Sequence, residues 1–220
     1  MIRKIIKKNI GKRIEINPII NPIQYETNES SFTGNSLQSD NVLIIGNVNH
    51  PIIKTAIQAY NDENCYTRHI NKKLTELSFS EIEEAEKEEI GYFDHIINII
   101  TVDNNSSLFI NDSYNTNDIE YIIYEWLQVE VDYLVRTCKI STLHLVFILD
   151  STPNIEIIAY SLRQMINGLG KLLLNHNIIL NGIIADNNIP EDSIIQSLLF
   201  CTSKYGQVLA GETINLKYNG

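Results

Sequence analysis

Glycine is scarce in this chain, at 10 of 220 residues against a usual share of about 7%. Cysteines number only 3. Cys65, Cys138 and Cys201 form neither a metal-ligand spacing nor a disulfide framework, so reduced core thiols in a cytoplasmic protein are expected. No apolar run approaches the ~20 residues of a membrane span. The N-terminal segment also lacks the long apolar core and small-residue cleavage site of a secretory signal. Positive charge is scarce and unevenly spread. Of the 17 Lys and Arg, six precede the first acid, Glu15, and the other eleven face all 27 acidic residues, a net −16 for that part. Such a body repels phosphates, and no nucleic-acid partner is expected.

Apolar residues, by contrast, are plentiful: 44% of the chain is hydrophobic and 20% charged, the composition of a folded domain. Residues 1–40 read as an N-terminal extension, a basic arm followed by a polar loop, and residues 41–220 as one domain. In the arm, Ile2, Ile5, Ile6 and Ile10 fall at helical spacing among Lys and Arg. Membrane contact through residues 2–13 is one reading of this basic amphipathic pattern. An arm packed on its own domain or on an oligomer partner is the expected one.

From residue 41 the pattern alternates. Short continuous apolar runs at 42–45, 95–100, 143–149 and 178–184 mark strands buried on both faces, with a weaker strand at 65–70 and a short one at 213–216. Helical stretches lie between them at 53–60, 81–89, 118–139, 158–175 and 190–202. Ser80 with Glu83 three residues on fits a capping box for the second helix. This order predicts an α/β fold, a doubly wound parallel sheet with helices on both faces. In such sheets ligands bind beyond the carboxyl ends of the strands.

The first of those ends reads Gly46-Asn47-Val48-Asn49-His50-Pro51-Ile52-Ile53. A dinucleotide turn uses glycines to bring backbone N–H groups close to the pyrophosphate at a helix N-terminus. Only Gly46 is present, and Pro51 removes one N–H donor. The histidines are scattered, with His144 inside a strand as an expected satisfied core residue. Asp150-Ser151 lacks the Gly-x-Ser-x-Gly elbow of hydrolases. No metal site is expected. Lys72 and Lys73 fit the solvated start of a helix better than a 2′-phosphate site.

Several segments, in order, resemble the short-chain dehydrogenase/reductase superfamily, especially its 3-oxoacyl-(acyl-carrier-protein) reductases. The stretch Ile178-Ile179-Leu180-Asn181-Gly182-Ile183-Ile184-Ala185-Asp186 is similar to that family's Ile-Arg-Val-Asn-Ala-Ile-Ala-Pro-Gly strand. Phe200-Cys201-Thr202-Ser203 resembles its Phe-Leu-Ala-Ser helix end, and Gly211 to Leu216 its closing strand. Phe93-Asp94-His95-Ile96-Ile97-Asn98 resembles the segment that ends in Asn-Asn-Ala-Gly. The resemblance covers about residues 41–220 and implies the family's Rossmann-like sheet.

The family's cofactor turn, Thr-Gly-xxx-Gly-x-Gly, keeps only its first glycine here, Gly46. Its Asn–Ser–Tyr–Lys tetrad is also incomplete. Ser151 matches the serine that polarises a substrate carbonyl, and the asparagine position falls near Gln128. If Tyr160 is the acid–base tyrosine, the lysine position holds Gln164; if Arg163 replaces the lysine, the tyrosine position holds Ala159. A phenol with a pKa of about 10 needs a neighbouring cation to act near neutral pH, and Gln164 supplies none.

The resemblance therefore implies a degenerate member, a pseudoenzyme serving as a non-catalytic subunit, scaffold or binding protein with no cofactor. The alternative is an atypical NAD(P)-dependent ketoreductase acting on a ketone or acyl-carrier thioester. Ser151 and Tyr160 would then be catalytic, and Gly46, Asn47 and Asn98 would hold NADP or NAD. The family's dimers form through the helices that correspond to 118–139 and 158–175. A homo-oligomer, or a heteromer with a catalytically active homologue, is expected.

Overall fold

The computed structural model describes residues 37–217 except 73–75, 88–90, 103–115, 138 and 151–154, and leaves aside the side chains of 87, 116–126 and 155. The basic arm at 2–13, Cys138, Lys73 and Ser151 therefore lie outside the described residues.

Among the described residues six parallel strands form one sheet in the order β2-β1-β3-β4-β5-β6. They are β1 (Asn41–Ile45), β2 (Tyr66–Ile70), β3 (His95–Val102), β4 (Ser141–Leu149), β5 (Ile178–Asp186) and β6 (Thr213–Leu216). The helices between them are α1 (Pro51–Asp62), α2 (Phe79–Lys87), α3 (Thr116–Thr137), α4 (Ile155–Leu173) and α5 (Glu191–Thr202). The expected doubly wound α/β sheet is what the chain forms. Its near-continuous apolar strands are those that helices cover on both faces: every residue of β4 is buried, while edge strand β2 is only partly covered.

Side chains alternate between the two faces. On one face Val42, Ile44, Ile97, Ile99, Val146, Ile148, Ile183 and Ala185 pack against α1 and α5 through Ile52, Ile53, Ala56, Tyr60, Ile194, Ile195 and Leu198. The Tyr60 hydroxyl and the Thr202 hydroxyl meet at 2.6 Å and tie α1 to α5. On the other face lie α3 and α4, which bury Leu127, Val131, Leu134, Leu162, Met165 and Ile166.

Two glycines explain how α4 sits so close. A Cβ on Gly182 would strike the Ile166 side chain, and one on Gly170 would lie 2.4 Å from Gly211 Cα. Gly211 itself has φ +81°, a conformation that glycine adopts without strain. Gly168, in contrast, faces open space.

The capping box is displaced from its expected place. Ser78, not Ser80, caps α2. Its Oγ donates to Glu81 Oε2 at 2.8 Å, and its backbone N–H donates to the same oxygen at 3.0 Å. Ser80 and Glu83 repeat the same spacing two residues later, so the pattern alone is degenerate. Phe79 settles the register, because its ring packs on Tyr133 and under the Arg136 guanidinium.

Candidate functional site

Strand order reverses at β1, which lies between β2 and β3. A ligand crevice belongs at the carboxyl ends there. A six-stranded dinucleotide sheet places three strands in each half; here, among the described residues, only β2 lies beyond β1, and the chain then crosses to β3.

The β1–α1 turn is tied up by its own neighbours. Gly46 N–H donates to the Ile70 carbonyl at 3.2 Å, and His50 N–H to the Asn47 carbonyl at 2.9 Å. Asn49 N–H donates to Asn47 Oδ1 at 3.0 Å. Val48 N–H donates to Asn71 Oδ1 at 2.9 Å, across from the end of β2. Ile53 N–H returns to the His50 carbonyl at 3.1 Å, and Pro51 has none. The amides of Gly46, Val48, Asn49, His50 and Ile53 thus already have protein acceptors.

Gly46 has a packing reason to be glycine. A Cβ there would lie 2.7 Å from Ile53 Cδ1 and 3.1 Å from the Ile99 carbonyl oxygen. It lets α1 settle onto the sheet. Ile52 and Ile53 are both buried, so the first turn of α1 points apolar side chains inward. The His69 ring donates to the Gly46 carbonyl at 3.0 Å.

A carboxylate stands beside this helix start. Glu191, in the first turn of α5, accepts from Thr55 Oγ1 at 2.7 Å. Its charge also reaches His50, whose pKa is lowered by burial and raised in part by Glu191. A negative side chain at a helix N-terminus is favourable, and here it comes from within the protein.

Of the two expected catalytic residues, Ser151 lies outside the described residues. Tyr160 is 59% exposed on α4. Gln164 is exposed as well. Arg163, three residues from Tyr160 and on a neighbouring part of the helix surface, donates from its guanidinium to the side-chain oxygen of Asn215 on β6. Nearby, Glu156, Ala159, Ile184, Asp186, Asn215, Leu216 and Lys217 line a shallow crevice. The crevice is bridged by Lys217 Nζ to Glu156 at 2.7 Å. The β5–α5 connection is only residues 187–190, too short to fold over the strand ends as a lid. Among the described residues no three His, Cys, Asp or Glu side chains are grouped as for a metal.

Asn47 is exposed at the turn, whereas Asn98 is 1% exposed inside β3, on the face covered by α3. Gln128, near the expected asparagine position, is half-buried on α3. Lys72 pairs with Glu81 at 2.5 Å, in keeping with a helix start. His144 is a core residue as expected, yet not a satisfied one: both ring nitrogens are buried without partners.

Solved structures decide the fold. A short-chain dehydrogenase from Leptospira borgpetersenii, solved with bound NAD+, superposes over 90% of this chain and 98% of its own, with a TM-score of 0.60 at 12% identity. The chain has the short-chain dehydrogenase/reductase fold. The enoyl-acyl carrier protein reductase of Bacillus cereus, in complex with NADP+ and indole naphthyridinone, covers 83% of this chain and 96% of its own at a TM-score of 0.57 and 12% identity. The NADH enoyl-[acyl-carrier-protein] reductase of Aquifex aeolicus gives 82%, 95%, 0.56 and 12%. No family model matches the sequence, and no curated protein matches it.

Three residues were not singled out by the sequence: Asn71 and Glu191 at the turn, and Glu130 buried under α3. Asn71 follows β2 directly, where a reductase fold has its second strand end. Glu191 was visible only as part of a helix start. Glu130 lies three residues after Leu127 and four before Leu134, on the inward stripe of α3, and that spacing could have found it.

Proposed function

We propose that this protein uses the reductase fold without dinucleotide chemistry, as a non-catalytic subunit, scaffold or binding protein. The observation that carries the reading is the β1–α1 turn. A pyrophosphate needs backbone N–H groups that are free to turn toward it. Here those of Gly46, Val48, Asn49, His50 and Ile53 are engaged by Ile70, Asn71, Asn47 and His50. Glu191 adds negative charge beside the same helix start, and the strand that would complete the first half of the sheet is missing among the described residues. The residues present do not fit a dinucleotide.

The positions of Tyr160 and Arg163 support the same reading. Tyr160 is solvent-exposed, and the guanidinium of its candidate cation, Arg163, is held by Asn215 instead.

The protein's work then lies in contacts with other chains, as a homo-oligomer or beside an active homologue. Ile157 and Tyr160 support this. They are 61% and 59% exposed one turn apart on α4, on a helix that the reductases use to dimerise. No described helix is long and apolar enough to cross a membrane, and the buried unpaired thiols Cys65 and Cys201 suit the reducing cytosol that we assign.

The test is turnover. Oxidation of NADPH or NADH with a panel of ketones and acyl thioesters should not exceed the blank. Steady turnover that Tyr160→Phe abolishes would restore the ketoreductase reading.

A further inference from the structure

Glu130 lies midway along α3 and is wholly buried, between Leu127, Val131 and Leu134 on the inward stripe of the helix. Beneath it is Asn98, 1% exposed, in the middle of the sheet and in register with Ile45 and Leu145 on the adjoining strands. The Asn98 amide faces the Glu130 carboxyl. Yet neither oxygen of Glu130, and neither the oxygen nor the nitrogen of Asn98, completes a well-directed hydrogen bond.

Four buried polar atoms without partners are rarely accepted in a native core. An ionised Glu130 would leave the fault in place. A carboxylate only accepts, so Asn98 Oδ1 would stay unpaired, and a bare charge would lie under the helix. A proton removes it. The carboxyl O–H donates to Asn98 Oδ1, and Asn98 Nδ2 donates to the carboxyl oxygen that carries no proton. Two hydrogen bonds then close a ring between helix and sheet.

We propose that Glu130 is a neutral carboxylic acid in the folded protein, and that its paired bond with Asn98 is a proton-dependent latch holding α3 on the centre of the sheet.

Among the described side chains no charged one is set against the pair. On α3 itself Tyr133 turns to the Phe93 amide, Arg136 reaches Phe79 and Glu83, and Asp132 is half-buried. On β3 and β4 the titratable groups are His95 and His144, both on the opposite face by strand alternation. On β5 it is Asp186, at the strand's last position. On α4, Glu156, Tyr160, Arg163 and Lys171 are all exposed. On α2, Glu81 pairs with Lys72, and Glu83, Glu84 and Glu86 lie at or near the surface. Burial dominates: it pushes the Glu130 carboxyl up to about 8, against the pull of the α3 backbone and the Asn98 amide. The latch is closed at neutral pH and opens on the alkaline side.

The inference is independent of whether the protein binds cofactor. It is tested by infrared spectroscopy and thermal unfolding of the full chain, wild type against Glu130→Gln, which keeps the shape and cannot ionise. At pH 7 the wild type should show the carbonyl band of an un-ionised carboxyl. That band should be absent from Glu130→Gln and should fade from the wild type as pH passes about 8. The wild-type melting temperature should fall between pH 6.5 and 8 while that of Glu130→Gln stays level. Absence of the band from the wild type at pH 7 overturns the proposal, and so does a parallel fall in both melting curves. If Glu130→Gln fails to fold, the wild-type band and its loss with pH decide alone.

Discussion

Replacing His144 with leucine should make the protein lose stability steadily between about pH 5 and 6.5, a window in which the wild type stays level. Two buried groups of opposite sign meet there. Burial, aided by nearby His95, lowers the His144 pKa from 6.5 to about 3. Below pH 6.5 the unfolded chain therefore binds a proton that the folded chain refuses, and stability is lost as pH falls toward 3. Glu130 is raised from 4.5 to about 8. Between those limits the folded chain keeps a proton that the unfolded chain has shed, and stability is lost as pH rises. Each linkage has a slope of at most about 1.4 kcal/mol per pH unit. Between pH 4.5 and 6.5 the slopes cancel. Leucine at 144 removes one of them and exposes about 2 kcal/mol of loss from pH 5 to 6.5, or roughly 4–8 °C in Tm for a domain of this size. His50, lowered in the same direction but partly exposed, trims this figure. Glu130→Gln should show the mirror image, gaining stability from pH 5 to 6.5 and flat above. Urea unfolding at half-unit pH steps and constant ionic strength measures both. A His144→Leu profile that runs parallel to the wild type would refute the opposed linkages.

Other outcomes follow from the packing. Gly170→Ala should destabilise by about 1–3 kcal/mol or more, because its methyl meets Gly211 backbone. Gly168→Ala, two residues away in open space, should stabilise by roughly 0.5–1 kcal/mol through helix propensity; equal effects in chemical denaturation would contradict the assigned contacts. Ile157→Glu with Tyr160→Glu should convert an oligomer to monomer in size-exclusion light scattering while leaving the far-ultraviolet dichroism unchanged. An unchanged mass would remove α4 from the interface.

Much of the fold was legible because β3, β4 and β5 are buried on both faces and so carry unbroken apolar runs. The limits of β6 also match, since turn residues bound it on the N-terminal side. The helix start at Phe79 was not legible from caps alone, as Ser78 and Ser80 both precede a glutamate by three residues. Only the packing of Phe79 on Tyr133 chooses between them. At the site, the scarcity of turn glycines was visible in His50–Ile53. What reaches the turn from elsewhere was not. Asn71 and Glu191 reach the turn from other elements, and one-dimensional spacing does not report such contacts. His144 was placed in the core by its strand, but its lack of partners depends on what packs around the ring.

The closed β1–α1 turn is tested most directly by titrating the protein with NADPH and with NADH and following nicotinamide fluorescence, with an intact reductase as the binding control. No saturable change is expected up to millimolar cofactor. Saturable binding in the micromolar range would show that the turn opens to a dinucleotide, and would contradict the reading of this fold as one that has given up its cofactor.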